Sequence, residues 1–364
     1  MKVAIDVSHI DRDGAGIGYV IKGLVRGFQD LPEHEYLVYS RKELNLDLPH
    51  NFRVIVIPHV PRIMGGGFKW YSRVSQDMRI QAVDVFISPT LNISSMFVLN
   101  SLQILHDITP ITHPQYYRYQ DRVRFRLTLW AAVRSAKWLA AISHTTASAV
   151  QQTFPWLHKQ INIIPLGLNS WVYAKPTAEE IAHAVNKYNL PTDYFFSIST
   201  IQPRKNYDGM IRAFAEFSKQ HPTYEYLIAG GKGWYYEHVF TLVKDLGLEG
   251  KVKFLGYVDE ADLPTLYDKS RGVLYASHAE GYGLIVTEAM ARGVPVLTSN
   301  LEVIKEITDA QHAVFVDPEN IAEMAEGMEE LTKREHYQIE QDFFSKHNWA
   351  NTARTILTGT QSAS

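Results

Sequence analysis

The sequence predicts an α/β fold with two successive sheets of parallel strands, each covered by helices. Short apolar segments alternate with longer amphipathic segments along most of the chain, the pattern of repeated strand–helix–strand units. The irregular stretch GLNSWVYAKPTAEE, residues 167–180, separates a first series of such units from a second. A length of 364 residues also favours two domains over one. We therefore predict two Rossmann-like domains.

Each series supplies strands for one sheet. The predicted strands are KVAID, EYLVYS, RVIVIP, VDVFIS, LQILHD, KWLAAIS and INIIP in the first series, then YFFSIS, EYLIAG, VKFLG, GVLYAS, VPVLTS and AVFVD in the second. Segments with helical character between them include YQDRVRFRLTLWAAVRSA, DGMIRAFAEFSKQ and LPTLYDKS. Because parallel strands point the same way, ligand sites are expected where their carboxyl ends meet.

Composition excludes several classes of protein and site. Hydrophobic residues make up 46% and charged residues 21% of the chain, which is typical of a globular protein. The absence of cysteine excludes disulfides, thiolate metal sites and cysteine nucleophiles. A net charge of −3 gives no reason to expect a nucleic-acid partner.

The first residues and the hydropathy pattern bear on location. The opening segment carries Asp6 and no long apolar core, so it is not expected to be a signal peptide. No apolar run reaches a membrane-spanning length. We expect a cytoplasmic protein and leave open a peripheral contact at the inner face of the membrane.

A glycine-rich segment, DGAGIGY at residues 13–19, follows the first strand and is predicted to open a helix. Its glycines, Gly14, Gly16 and Gly18, are spaced G-x-G-x-G, whereas a dinucleotide fingerprint requires G-x-G-x-x-G. The second strand also lacks the acidic residue that would bind a ribose, which disfavours an NAD(P) oxidoreductase. A turn that admits a phosphate or sugar and a purely structural turn both remain open.

A second glycine-rich segment, LIAGGKG at residues 227–233, is not a phosphate loop. The Walker motif requires a glycine where Tyr226 stands and a serine or threonine where Gly233 stands.

Two glutamates flank a glycine-rich turn in SHAEGYGLIVTEAM, residues 277–290. Glu280 precedes the turn formed by Gly281, Tyr282 and Gly283, and a helix is predicted from Leu284 to Ala291. A helix start presents amide groups to an anion, and Glu288 would lie about one turn inside the helix. The alternative is that Glu280 caps the helix and Glu288 is solvated.

Charged residues also follow two other predicted strands. Arg204 and Lys205 come after YFFSIS, and an adjacent guanidinium and ammonium suit a diphosphate, although a solvated basic turn is the alternative. His106 and Asp107 come after a strand in the first half, where a structural histidine beside a capping aspartate is the alternative.

The segments STIQPRKN, LGYVDEADLPTLYDKS and SHAEGYGLIVTEAMARGVPVLTS, in this order, resemble the retaining GT-B glycosyltransferases of family 4, also called glycosyltransferase group 1. The segment LHDITPITHP, together with STIQPRKN, is similar to its mannosyltransferase-like branch. The resemblance implies two facing Rossmann-like domains: an acceptor domain at 1–168, a nucleotide-sugar domain at 169–342, and a helix at 343–364 that returns to the first domain.

The resemblance also implies roles for individual residues. Arg204 and Lys205 would contact the donor diphosphate, Glu288 the ribose, and Glu280 and His106 the sugar. The implied catalytic set is His106, Glu280, Arg204 and Lys205. The implied donor-binding set is Gly16, Arg204, Lys205, Val258, Glu280, Gly281, Tyr282, Gly283, Leu284 and Glu288. Thr200 departs from relatives that often have glycine before the Arg-Lys pair.

The implied reaction moves a hexose from a nucleotide sugar to a glycan or lipid-linked glycan in cell-surface polysaccharide, such as lipopolysaccharide, biosynthesis. GDP-mannose is the first expectation for the donor and a UDP-hexose the second. A catalytically silent subunit that binds sugar nucleotides is a further alternative.

No cofactor and no metal are expected. The D-x-D pair of Asp11 and Asp13 resembles a cation motif of other glycosyltransferases, but it precedes the glycine turn in the expected acceptor domain. Aspartates are common before such turns because they bond to nearby backbone.

Arginines recur within YRYQDRVRFR. Arg118, Arg122 and Arg126 would share one face if this segment is helical. That face could meet anionic lipid or a diphosphate-linked acceptor, or it could simply be solvated.

Overall fold

The computed structural model describes residues 1–10, 16–58 and 66–361. The chain forms two compact units, one of residues 1–167 with 345–364, and one of residues 168–344.

The first unit contains a parallel sheet of seven strands within the described residues. The strands are β1 (Lys2–Asp6), β2 (Glu35–Ser40), β3 (Phe52–Val56), β4 (Val85–Ser88), β5 (Ser101–Leu105), β6 (Trp138–Ala141) and β7 (Ile161–Ile163). Their order in the sheet is β3-β2-β1-β4-β5-β6-β7. All seven predicted strands form. Several of them end one or two residues before the end of the predicted segment, because the last residues of that segment turn into the following loop.

Helices pack on this sheet. Those from the first part of the chain are α1 (Gly16–Gln29), α2 (Gly66–Ile80), α3 (Thr109–Thr112), α4 (Tyr119–Ser135) and α5 (His144–Thr153). The side chains of Leu129 and Val133 on α4 pack with Leu105 and Leu139 of the sheet in one apolar cluster.

The second unit contains a parallel sheet of six strands. They are β8 (Tyr194–Ile198), β9 (Glu225–Ala229), β10 (Val252–Gly256), β11 (Gly272–Tyr275), β12 (Val296–Ser299) and β13 (Ala313–Val316), in the order β10-β9-β8-β11-β12-β13. All six predicted strands form. The order reverses between β8 and β11, which is where ligands bind in open parallel sheets.

The helices of the second unit cover both faces of its sheet. They are α6 (Ala178–Tyr188), α7 (Tyr207–Phe217), α8 (Glu237–Asp245), α9 (Leu263–Asp268), α10 (Leu284–Ala291), α11 (Glu302–Lys305), α12 (Ile321–Lys333) and α13 (Gln341–Lys346), whose end crosses the unit boundary. Phe195 packs in one apolar cluster and the adjacent Phe196 in another, because successive strand residues point to opposite faces.

The last helix, α14 (Trp349–Gln361), packs against α1 in the first unit. Trp349 occupies a space left by glycines: a Cβ on Gly23 would lie 2.0 Å from its ring, and one on Gly167 2.5 Å. The ring of Tyr19 meets Trp349 edge-on, with centroids 5.8 Å apart. The absence of side chains at these glycines therefore allows the close approach of α14.

Candidate active site

Adjacent strands bring the two charged segments of the second unit together. Gly272 and Val273 of β11 pair with Phe195 and Phe196 of β8. Both strands point the same way, so the segments that follow them meet at one edge of the sheet. This pairing places Arg204 and Lys205 beside Glu280.

Glu280 is held by three side-chain donors. Arg204 Nη1 donates to Oε2 at 2.8 Å, and Lys205 Nζ donates to Oε1 at 2.6 Å. The hydroxyl of Tyr275 donates to Oε1 at 2.8 Å. The Glu280 side chain is only 7% exposed. The alternative of a solvated basic turn is wrong, because both basic side chains are largely buried against this carboxylate.

The electrostatic surroundings keep Glu280 ionised. Burial by itself raises the pKa of a carboxyl group, but the charges and hydrogen bonds of Arg204 and Lys205 outweigh burial and lower the pKa of Glu280 to about 2. The cluster thus contains two cations and one anion at neutral pH. It has one positive charge in excess.

Tyr275 was not predicted from the sequence as part of the site. It is the last residue of β11, and its ring lies under Lys205, with Nζ 4.8 Å from the ring centroid. Lys205 Nζ also donates to the tyrosine hydroxyl at 2.8 Å. Its position at a strand end, five residues before Glu280, is a signal that could have suggested this role.

Asn206 was also missed, and it fixes the basic turn. The residue has a left-handed backbone with φ of 53° and accepts a hydrogen bond from Gly209 at the start of α7. Its buried Nδ2 donates to the carbonyl oxygens of Ala276 at 3.0 Å and Pro318 at 2.8 Å. An asparagine directly before a helix is a capping signal that the sequence did contain.

The glycine turn leads into α10 as predicted, from Leu284 to Ala291. Gly283 has a φ of +118°, a backbone region that side chains disfavour, and a Cβ there would meet Ile304 at 2.7 Å. No side chain caps α10. The alternative in which Glu280 caps this helix is therefore wrong. Gly281 and Tyr282 are buried and Leu284 is partly buried at the helix start.

Glu288 is buried within α10, so the alternative of a solvated residue is also wrong. Its Oε2 accepts a hydrogen bond from the Tyr267 hydroxyl at 3.0 Å. Burial raises the pKa of Glu288 to about 8, against the hydrogen bond from Tyr267 and with help from the charge of Glu260. The side chain is thus mainly protonated at neutral pH and can both donate and accept.

Val258 lies after β10, where the chain leaves the sheet. Its side chain is buried in the apolar cluster that includes Leu263 and Tyr267. A contact between Val258 and a ligand would therefore be made by its main chain.

His106 belongs to the first unit and follows β5. Its Nε2 lies 2.5 Å from the carbonyl oxygen of Pro89, and because that oxygen can only accept, Nε2 carries the proton. Burial lowers the pKa of His106, although the Pro89 hydrogen bond and the charge of Asp107 oppose this. Nδ1 of the neutral ring is therefore an acceptor.

Asp107 bonds to a residue in its own turn, in line with the alternative of a capping aspartate. It accepts hydrogen bonds from the backbone and the hydroxyl of Thr109, at 3.1 and 2.9 Å.

The glycine segment near the amino terminus is described only in part. Gly16 is the first residue of α1 and Gly18 is buried within that helix, so neither belongs to a loop. Gly14 and the D-x-D residues Asp11 and Asp13 lie outside the described residues. Among the residues that are described, no group of three or more His, Cys, Asp or Glu side chains is arranged to hold a metal ion.

Residues 171–354 match the family described as Glycosyl transferases group 1. The chain belongs to this family. The family membership that the sequence motifs predicted is confirmed.

Curated relatives have more specific names. O-antigen chain mannosyltransferase B of Escherichia coli is 32% identical over 219 residues, which cover 59% of this chain and 57% of that protein. Serotype-specific mannosyltransferase WbdA of Escherichia coli is 27% identical over 269 residues, which cover 70% of this chain and 32% of that protein. The matched regions thus span less than two thirds of either relative.

Solved structures share the fold at low sequence identity. WaaG, described as a glycosyltransferase involved in lipopolysaccharide biosynthesis, has a TM-score of 0.70 at 16% identity and covers 100% of this chain and 98% of its own. Anabaena Alr3699/HepE in complex with UDP-glucose has a TM-score of 0.69 at 20% identity, with coverage of 100% and 98%. The predicted fold class, a GT-B protein with two parallel-sheet Rossmann-like domains, is confirmed.

Proposed function

We propose that this protein is a retaining hexosyltransferase that transfers mannose from GDP-mannose to a glycan or lipid-linked glycan in cell-surface polysaccharide biosynthesis, without a metal or other cofactor. The single observation that carries the proposal is the buried cluster of Arg204, Lys205 and Glu280 at the strand-order reversal of the second unit. The names of the two mannosyltransferase relatives support mannose as the sugar.

The cluster suits a leaving diphosphate. Cleavage of a glycosyl–phosphate bond leaves negative charge on the diphosphate, and Arg204 and Lys205 supply two adjacent cations at fixed positions. Preorganised charge of this kind stabilises charge that develops in a transition state. The start of α10, at Leu284, adds main-chain amides whose dipoles favour an anion.

Glu280 suits the sugar. A carboxylate has about four acceptor positions, and the described residues occupy three of them, two at Oε1 and one at Oε2. The remaining position at Oε2 can accept a sugar hydroxyl and position the donor. The ionised carboxylate also stabilises the positive charge that the sugar ring develops in the transition state.

The remaining predicted residues take the roles implied by the family resemblance. Glu288 would bind ribose hydroxyls through a carboxyl group that can donate and accept. Gly16 and the main chain of Val258 would approach the phosphates and the base, and His106 would accept a hydrogen bond from the sugar. The acceptor hydroxyl would be deprotonated with help from the leaving phosphate, which gives retention.

A UDP-hexose is the second candidate donor. The solved complex of Alr3699/HepE with UDP-glucose, on a fold that covers this whole chain, favours it. A catalytically silent binding subunit is disfavoured, because the charged cluster is complete and positioned by Tyr275 and Asn206.

The test is a calorimetric binding screen of GDP, UDP, GDP-mannose and UDP-glucose, followed by turnover of the tightest nucleotide sugar with a diphosphate-lipid-linked glycan. NMR of the product reports whether the anomeric configuration is retained. We expect GDP-mannose to bind best and to be consumed with retention. Preference for UDP-glucose would select the second candidate, and failure of every nucleotide to bind would overturn the donor site.

A further inference from the structure

We propose that the exposed face of α4 docks the first unit on an anionic membrane surface. The proposal concerns a helix remote in sequence from the donor residues and does not depend on which nucleotide sugar is used.

One face of α4 carries large apolar side chains that the fold does not bury. The side chain of Tyr119 is 73% exposed and that of Leu127 is 64% exposed. Val123, which lies between them in the chain, and Trp130, which follows them, are also exposed. Their spacing of four, four and three residues places them in one stripe along the helix. Leu129 and Val133 of the same helix are buried in the core, so this exposure is not a result of local unfolding.

An element that contacts α4 also exposes an apolar side chain. The 3₁₀ helix Ser94–Met96 packs beside α4, and its Met96 is exposed. Adjacent apolar side chains facing solvent are a feature of surfaces that bind another molecule or a membrane.

Basic residues border the stripe. At 100° per residue, Arg122 and Arg126 lie on one side of it and Arg124 on the other. Among the described residues, no carboxylate lies within ion-pair distance of these three arginines, and Arg122 instead lies 5.9 Å from the ring of Tyr119. Arg118 does not share this helical face as predicted, because its backbone is extended and it precedes the first turn.

The charge of this segment opposes that of the whole chain. Residues 118–137 contain six basic side chains and one acidic side chain, Asp121, whereas the net charge of the chain is −3. A local positive field around an apolar stripe is complementary to a surface that is anionic outside and apolar beneath. Anionic lipid has this chemistry.

The helix is suited to lie on a membrane and not to cross it. Its 17 residues extend about 25 Å, and arginines occur along its whole length. No helix in the part of the chain that the structure describes has both the length and the apolar composition needed to cross a membrane. Tyr119, Val123, Leu127 and Trp130 would enter the region between headgroups and acyl chains, and the arginines would reach lipid phosphates.

Cosedimentation with vesicles tests the proposal on the full chain. Vesicles of phosphatidylcholine with phosphatidylglycerol should bind the protein, and vesicles of phosphatidylcholine alone should bind it at least tenfold more weakly. Added salt should weaken binding to the anionic vesicles.

Two double variants separate the contributions. Arg124→Glu with Arg126→Glu should lower vesicle binding more than twentyfold, since each basic residue near an anionic surface contributes roughly a fivefold factor. Val123→Glu with Leu127→Glu should lower it at least tenfold through loss of the apolar contact. Matched controls are Ile80→Glu, an exposed apolar residue on α2, and Arg354→Glu, an exposed arginine on α14, both expected to bind like wild type.

Fluorescence adds a local readout. Vesicles should shift the tryptophan emission of the wild-type protein to shorter wavelength, and Trp130→Phe should lose most of this shift while retaining binding within about threefold.

Three results would overturn the proposal. The first is failure of the wild-type protein to bind anionic vesicles, and the second is an equal loss of vesicle binding in the controls and in the α4 variants. The third is a dimeric mass of the wild type on size-exclusion chromatography that the α4 variants abolish, which would show that a second copy covers α4. Circular dichroism and nucleotide affinity of each variant establish that it is folded. A failed donor assay with intact vesicle binding would count against the proposed function alone.

Discussion

Lys205 Nζ lies 2.6 Å from Glu280 Oε1, although 75 residues separate the two in the chain. The pairing of β8 with β11 brings them together, and Tyr275 bonds to both. Removal of one cation would leave the other to balance Glu280, so single variants are expected to fold.

We expect Arg204→Ala and Lys205→Ala each to weaken the binding of GDP or UDP by roughly 10- to 150-fold. A hydrogen bond between charged groups contributes about 1.5–3 kcal/mol, and each variant removes one such contact to the diphosphate. Isothermal titration calorimetry measures the effect. Arg212→Ala, which removes an exposed arginine of α7 paired with Asp208, is the matched control. Unchanged affinity in both site variants would exclude this diphosphate site.

We expect Glu288→Gln to change how stability depends on pH. The pKa of Glu288 is about 8 in the folded protein and 4.5 for an ordinary glutamate, so between these values the folded state holds a proton that the unfolded state has lost. The free energy of unfolding of the wild type therefore decreases as pH rises through this window, by up to about 1.4 kcal/mol per pH unit.

The glutamine variant cannot ionise and should lose this slope. Urea unfolding at pH 5, 6.5 and 8 measures it, with Glu326→Gln on the surface of α12 as the control. A difference between wild type and Glu288→Gln that does not grow with pH would contradict the assigned protonation.

We expect His106→Ala to leave nucleotide affinity unchanged and to lower the rate of transfer by roughly fivefold or more. The proposed diphosphate contacts belong to the second unit, whereas loss of one acceptor for a sugar hydroxyl costs about 1 kcal/mol. Steady-state kinetics and calorimetry on the same preparations give both quantities, and the exposed His50→Ala is the control. Transfer at the wild-type rate would make His106 purely structural.

We expect transfer to persist in excess EDTA. Arg204 and Lys205 already offer the diphosphate positive charge, so no cation is needed to neutralise it. Asp11→Asn should accordingly change the rate by less than about twofold. Activity that is lost in EDTA and restored by manganese or magnesium would disprove metal independence. Asp11 and Asp13 would then be the first candidate ligands of the cation.

We expect Gly23→Ala to destabilise the protein, although alanine ordinarily stabilises a helix interior by about 1 kcal/mol relative to glycine. The new methyl group would lie 2.0 Å from the Trp349 ring and force α14 away from α1. Thermal unfolding measures the effect. Gly231→Ala, where no atom lies within 4 Å of the added Cβ, is the control. If Trp349→Ala fails to reduce the penalty of Gly23→Ala, the contact is not its cause.

Local patterns in the sequence determined the strands of both sheets, the start of α10 at Leu284 and the presence of charge after β8 and β11. Each of these depends on residues close together in the chain: apolar periodicity, glycines at a turn, and side chains that follow a strand. Such signals can be identified in the sequence before any tertiary contact is known.

Tertiary structure alone decided how the charged residues are used. Glu280 binds Arg204 and Lys205 because β8 and β11 are neighbours, and Glu288 is protonated because α10 turns it into the core. Tyr275 and Asn206 entered the site for the same reason. Burial and pairing over 70 or more residues depend on strand order and helix orientation, and they change the pKa of Glu280 and of Glu288 in opposite directions although both are glutamates.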